Sequence, residues 1–246
     1  MLHLYHWEPN GASARVLIAL EEKGLAFESR YVDLLAFEQH RPDFLRLNGN
    51  GQVPVLLCDE GTALTGSSYI CEYLEEAFLA PPLMPPAPPD RWRVRWWQKY
   101  VDDNLAQAVS ELAWTAFRPQ DPIQAPVSPP TRERRQAWEE AVAGYPPERL
   151  DQARERVALA LADVETSLAG GPWLVGDGFS LADIAVFAYA AYLPRLLPDL
   201  PDRFPRPRVW LERTGNRRAV RSALARGEGG DPFATAAPGP ERVRWG

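Results

Sequence analysis

The sequence predicts an α/β domain followed by an all-helical one, and three observations carry that expectation. The first 80 residues alternate short apolar strands with helical stretches in the order β-α-β-α-β-β-α. Six prolines then fall within residues 81–90, and helical periodicity dominates from Arg91 onward. A chain of 246 residues with 46% apolar side chains has ample material for a core.

Leu2 to Tyr5 reads as a strand, the turn through Glu8, Pro9, Asn10 and Gly11 follows, and a helix runs from about Ser13 to Lys23, stopped at Gly24. Phe27 to Val32 is the second strand and Phe37 to Leu47 an irregular helix. Val53 to Leu57 and Thr62 to Leu64 are two strands around an Asp-Glu-Gly turn, and Ser67 to Ala77 is the third helix. This order matches a thioredoxin-like domain over residues 1–80. It lacks the Cys-x-x-Cys pair that dithiol exchange would need.

Residues 81–90 read as a stiff connector, and the second domain as residues 91–226. An uninterrupted helical pattern spans Arg91 to Phe117, and a second long helix spans about Glu148 to Leu168. Between them, residues 118–147 hold seven prolines and read as a mostly irregular excursion with a short helix around Glu133 to Val142. Phe179-Ser-Leu-Ala-Asp-Ile184 is a helix start: Ser180 caps, Asp183 accepts from the cap backbone, and Phe179 with Ile184 forms the staple. Asp183 is therefore read as structural, and the helix after it, to about Leu196, as central. Residues 227–246, rich in Gly, Pro and Ala, read as a loose tail whose Phe233 and Trp245 can fold over a pocket.

Composition narrows the function. With 33 acidic against 27 basic side chains the net charge is −6, and no sustained basic block suggests nucleic acid. No apolar run spans a bilayer, and the opening residues show no signal-peptide pattern. Cys58 and Cys71 are expected as free thiols in a cytoplasmic protein. Three histidines, His3, His6 and His40, lack metal-ligand spacing, so no metal is expected.

The most informative segment is Asn48-Gly-Asn-Gly-Gln-Val-Pro-Val55 with Leu64-Thr-Gly-Ser-Ser-Tyr-Ile70. A Val-Pro pair entering a strand fits a cis bond that leaves the Val53 backbone free to pair with an extended, peptide-like ligand. Ser67 and the helix N–H groups beside it suit the carboxylate of that ligand.

Together with the Ser180 to Asp183 cap and the helical second domain, these features resemble the glutathione S-transferase superfamily over nearly all of the chain. Glu22-Lys23-Gly24-Leu25, Phe37-Glu38-Gln39-His40, Gly51-Gln52-Val53-Pro54 and Ile70-Cys71-Glu72-Tyr73 look like the bacterial glutathione-dependent β-etherases that cleave lignin-derived aryl ethers. So do Trp97-x-Lys99-Tyr100-Val101-Asp102-Asp103 and Trp173-Leu174-Val175-Gly176.

That resemblance implies glutathione as co-substrate and a thiolate displacing a phenolate to leave a thioether. It implies Ser13 as the hydroxyl that holds the thiolate, assisted by Asn10 or Arg15, because the asparagine usual beside the serine is Ala12 here. Gln52, Val53, Pro54 and Ser67 would hold the tripeptide. The acidic residue usual before that serine is Gly66, so Asp102 or Asp103 of a partner subunit is expected to supply the charge. The aromatic substrate would meet His6, Trp7, Trp114, Phe117, Arg118 and Tyr189, with Tyr192 an alternative to Tyr189. Tyr5 is expected to pack against a helix. The chain is expected to pair with itself or with a homologous chain. The alternative reading is a weakly active or structural subunit of a heterodimer, or another glutathione conjugation.

Overall fold

The computed structural model describes residues 1–119, 131–199 and 203–237. Its first part comprises β1 (Leu2–His6), α1 (Gly11–Glu22), β2 (Phe27–Tyr31), α2 (Pro42–Leu47), β3 (Val55–Leu57), β4 (Ala63–Thr65) and α3 (Ser67–Ala77). The sheet order is β2-β1-β3-β4; β1 runs parallel to β2 and antiparallel to β3, and β4 runs antiparallel to β3. This is the expected thioredoxin-like topology, with α1 as the crossover between the parallel strands.

Local chemistry explains where the elements depart from their expected limits. α1 begins at Gly11, two residues before the expected start, with Asn10 in the extended N-cap position. The irregular helix divides into a 3₁₀ turn at Glu38–His40 and α2, because Pro42 fits a first helical turn but not a helix interior. β1 alternates, burying Leu2, Leu4 and His6, while half-buried Tyr5 turns to Phe44 of α2 at 6.2 Å between ring centroids.

The connector is anchored by a buried cation. Lys23 Nζ donates to the Phe78 and Pro81 carbonyls at 2.8 and 3.1 Å and pairs with Glu75 at 2.7 Å. Glu75 also accepts from the Leu83 and Met84 N–H groups. The chain then enters α4 (Pro88–Tyr100), with prolines in the first turn, where no N–H is required.

The expected long helix is α4, a π turn at Val101–Leu105, and α5 (Ala106–Phe117). Then come α6 (Arg132–Ala143), α7 (Pro147–Ser167), α8 (Leu181–Ala190), α9 (Leu193–Leu196), α10 (Pro205–Gly215) and α11 (Arg218–Leu224). α6 is the short helix expected in the excursion. The helix expected to reach Leu196 breaks after Ala190, because Pro194 has no N–H for the Ala190 carbonyl.

Every residue of α8 is buried. Ser180 and Asp183 form the capping box, and Asp183 also accepts from Leu174 N–H at 3.0 Å and Trp210 Nε1 at 2.9 Å. Burial pushes the Asp183 carboxyl up to about 6, against the opposing pull of those hydrogen bonds. α1 lies between the two parts of the molecule, with α3 packed on it from one and α8 and α11 from the other. No helix among the described residues is long and apolar enough to cross a membrane.

Candidate functional site

Two lobes of one cleft meet at the N-terminus of α1. The first runs along the thioredoxin-like edge and is lined by Asn48, Asn50, Gln52, Val53, Pro54, Gly66, Ser67 and Asp102. The second is lined by Trp7, Ser13, Leu34, Ser110, Ala113, Tyr192, Ala236 and Ala237. Ala12, Val53 and Tyr189 line both.

The first lobe is built largely from backbone. The Val53–Pro54 bond is cis, and the β1–β3 ladder begins only at Val55, so Val53 stands outside it. Asn48 holds the preceding loop by donating Nδ2 to the Gln52 carbonyl at 2.8 Å and accepting from Asn50 N–H at 3.0 Å. At the other end, Gly66 precedes α3 with φ +81° and no capping side chain, leaving first-turn N–H groups to receive an anion. At Gly66 the positive φ strains any side chain, and a Cβ would lie 2.8 Å from the ring of exposed Tyr69, which would have to shift to admit the acidic residue usual there.

Asp102 occupies that neighbourhood from the same chain. The π turn swings it toward the start of α3, where its two oxygens accept from Arg15 Nη1 and Ser68 Oγ. Arg15 is 1% exposed. Burial is the largest single influence and opposes its charge, but Asp102, Tyr189 and Cys71 together outweigh it, and its pKa is raised. Arg15 thus serves the junction between α1 and the helical part and lines neither lobe. Asp103, the other acid expected to serve a partner subunit's ligand, faces outward and pairs with exposed Lys99 at 2.6 Å.

Ser13 is the third residue of α1, within its first turn, so it is not the helix cap; Asn10 is. The Asn10 side chain makes no bond to the helix N–H groups and donates Nδ2 to the Pro232 carbonyl at 2.6 Å. First-turn donors at Gly11, Ala12 and Ser13 therefore face the cleft without a capping side chain. Ser13 Oγ accepts from Trp7 N–H at 3.2 Å, which directs the hydroxyl proton elsewhere. This combination, a serine hydroxyl at an uncapped helix start, suits a thiolate.

The second lobe differs from expectation. Trp7, Tyr189 and Tyr192 line it, but His6 does not. His6 is fully buried, with Nδ1 at 2.5 Å from the Trp7 carbonyl and Nε2 at 2.6 Å from Ser29 Oγ, and burial lowers its pKa. The strand runs one residue further than expected, and the alternation turns His6 inward. Trp114 is 3% exposed and donates Nε1 to the Ala141 carbonyl at 2.8 Å, so it belongs to the packing under α6. Phe117 stacks behind Tyr192 at 6.4 Å, and Arg118 is exposed, reaching the Val142 carbonyl at 3.5 Å. The α5 residues that face the lobe are small ones, Ser110 and Ala113, three apart on one helix face.

Of the tail expected at residues 227–246, the described part reaches residue 237 and packs on the second domain. Phe233 packs against Phe187 and Tyr192, and Tyr192 Oη donates to the Thr235 carbonyl at 2.8 Å, bringing Ala236 and Ala237 to the wall. Trp245 lies outside the described residues. Cys58 and Cys71 are unpaired and buried, and burial pushes the Cys71 thiol up to about 12.

A thioredoxin-like edge prepared for a peptide, a helix start prepared for a thiolate and a helical second wall define a glutathione transferase. The chain belongs to the glutathione S-transferase family: residues 12–77 match its N-terminal domain and residues 105–217 its C-terminal domain. It is 35% identical to Protein LigF of Sphingobium sp. (strain NBRC 103272 / SYK-6), over 89% of this chain and 91% of that protein. The crystal structure of beta-etherase LigF from Sphingobium sp. strain SYK-6 superimposes with a TM-score of 0.83, covering 92% of this chain and 99% of that one at 34% identity. Glutathione S-transferase 2 of Saccharomyces cerevisiae is 28% identical over 86% of this chain and 84% of its own length. Glutathione is thus the co-substrate of a transferase.

Proposed function

We propose that this chain cleaves a β-aryl ether of the lignin-derived type with glutathione. The observation that carries the reading is the meeting of a peptide lobe and an aromatic-walled lobe at the uncapped start of α1 beside Ser13. Likeness to a beta-etherase over most of both chains supports the choice of electrophile.

Glutathione lies extended along Val53, its cysteinyl unit pairing with that backbone. Its γ-glutamyl carboxylate rests on Ser67 and the α3 N–H groups, and its ammonium faces Asp102 of the same chain. The glycyl end then lies toward Asn48, Asn50 and Gln52. Asp102 answers the charge missing at Gly66 without a partner subunit. The sulfur sits by Ser13, whose hydroxyl and the helix start favour the thiolate. It attacks the carbon bearing the aryloxy group; the C–S bond forms as the C–O bond breaks, the configuration inverts, and the phenolate departs with the bonding pair to be protonated by solvent. Tyr189 and Tyr192 give the aryl groups their faces.

We further infer that two such chains pair through Tyr69, Trp92 and Trp96, which are 63%, 64% and 41% exposed on α3 and α4. The pair would work in the cytoplasm, where free thiols persist. The test follows thioether and phenol together from a β-aryl ether ketone with glutathione. Equal amounts of both, and a loss of roughly 10- to 100-fold in kcat/KM for Ser13→Ala, support the reading. No turnover at saturating glutathione overturns it.

A further inference from the structure

After α11 the chain returns to the first domain as a strap. Arg226 pairs with Glu21 of α1 at 2.6 Å, and residues 227–237 are then bonded to the turn between β1 and α1. Glu8 Oε1 in that turn accepts from Glu228 N–H at 3.2 Å and Gly229 N–H at 2.9 Å, and from Tyr31 Oη at 2.7 Å. Further along, Asp231 pairs with Arg195 of α9, and Asn10 Nδ2 donates to the Pro232 carbonyl at 2.6 Å. The strap then reaches Ala236 and Ala237 in the wall of the second lobe.

We propose that Glu8 is the positioning residue that latches this strap and thereby sets the room for the second substrate, an inference that rests on the second lobe receiving the aryl ether. Glu8 is 2% exposed, and its Oε2 is buried without a partner among the described residues. Taking a carboxylate out of water is unfavourable unless donors replace the water, and two of the three that do so here are strap amides. Lifting the strap would strip the acid of them. The close approach relies on glycine: a Cβ at Gly229 would lie 3.0 Å from Glu8 Oε1, and one at Gly227 would collide with Oε2 and lie 2.8 Å from the Pro9 ring. Glu8 lines neither lobe, so it acts through the strap. Ala236 and Ala237 are small, so the width of the lobe at that wall depends on where the strap lies rather than on what its side chains fill. The turn that presents Trp7 N–H to Ser13 thus also holds the carboxy-terminal wall of the electrophile site.

The test follows amide hydrogen exchange along residues 227–237 together with turnover of a compact and a bulky β-aryl ether ketone, phenoxy against dimethoxyphenoxy. The full chain is compared with Glu8→Ala, Glu8→Gln and Gly227→Ala. In Glu8→Ala, exchange at Gly229 and Phe233 should quicken about 10-fold or more. The wild-type preference for the compact ether should narrow about 5-fold through a lower KM for the bulky one, with the compact-ether kcat and glutathione affinity within about twofold. Glu8→Gln keeps a carbonyl oxygen for the strap amides and should retain most of the protection and of the preference. Gly227→Ala crowds the same carboxylate from the strap side and should reproduce both effects of Glu8→Ala. Unchanged exchange in Glu8→Ala, or faster exchange with an unchanged preference, would overturn the proposal. So would an equal loss for both ethers, since the strap would then only stabilise the fold. Turnover of neither ether by the wild type would overturn the proposed function, and this inference with it.

Discussion

The two lobes of the cleft are built from different materials. The peptide lobe uses backbone held by short-range devices: a cis proline, an Asn48 bridge within its own loop, and a glycine at positive φ before α3. The aromatic lobe uses side chains brought together from β1, α5, α8 and the carboxy end. A ligand bound mainly by backbone tolerates side-chain drift around it, whereas a wall of side chains follows every change in helix packing. The family can thus keep one co-substrate while its second substrates vary.

The sharpest way to break the contrast is to disturb the support of α8, which positions Tyr189 and Tyr192. Asp183→Ala leaves the Leu174, Ser180 and Trp210 donors without their acceptor inside the core. We expect a loss of about 3 to 5 kcal/mol in urea denaturation, with the second lobe the casualty.

On the peptide side, His40 sets an acid limit. Its folded pKa of about 4, lowered by burial and then by the Arg134 charge, lies below the unfolded value, so the unfolded chain binds the extra proton first. Its contribution is complete above the unfolded value of about 6.5 and is lost as pH falls through that value toward 4, by at most about 3 kcal/mol. Denaturation midpoints across that window should fall less steeply in His40→Asn. Asp183, with its raised pKa, pulls the opposite way in both proteins and cancels from the difference.

Asp102→Asn should weaken glutathione by about 1 to 3 kcal/mol in calorimetry, and should matter far less for an analogue lacking the α-amino group. Equal losses for both ligands would assign Asp102 to Arg15 alone. A smaller effect is expected from Ser110→Phe, which fills the aromatic lobe. The aryl ether kcat/KM should fall about 10-fold, near 1.4 kcal/mol, while glutathione affinity stays within about twofold. A matching loss of glutathione affinity would show that the lobes are not separable.

This contrast also explains what the sequence disclosed. The Gln52-Val53-Pro54 edge, Ser67 at a helix start and the Ser180–Asp183 cap are local patterns, and each lies where its spacing predicts. Asp102 was legible only as one of two adjacent acids, because the π turn that selects it over Asp103 has no residue signature in the chain. Trp114 and Phe117 drew attention by size, yet helix phase turned Ser110 and Ala113 to the cleft. His6 was assigned to the loop after a strand ending at Tyr5; the strand runs through it, and the alternation that buries Leu2 and Leu4 buries His6 as well. Arg134 of α6 lies more than 80 residues from the Asn50 and Gly51 carbonyls it braces, and no local pattern announces such a contact.

The most direct test of the central claim is a pH titration of the ultraviolet thiolate absorbance of glutathione bound to the wild type and to Ser13→Ala. A start of α1 that holds the sulfur predicts a bound thiol pKa well below the free value of about 8.5, moving back toward it by about one unit or more in the variant. An unshifted thiol in the wild type, or an identical shift in both proteins, would contradict the assignment of Ser13.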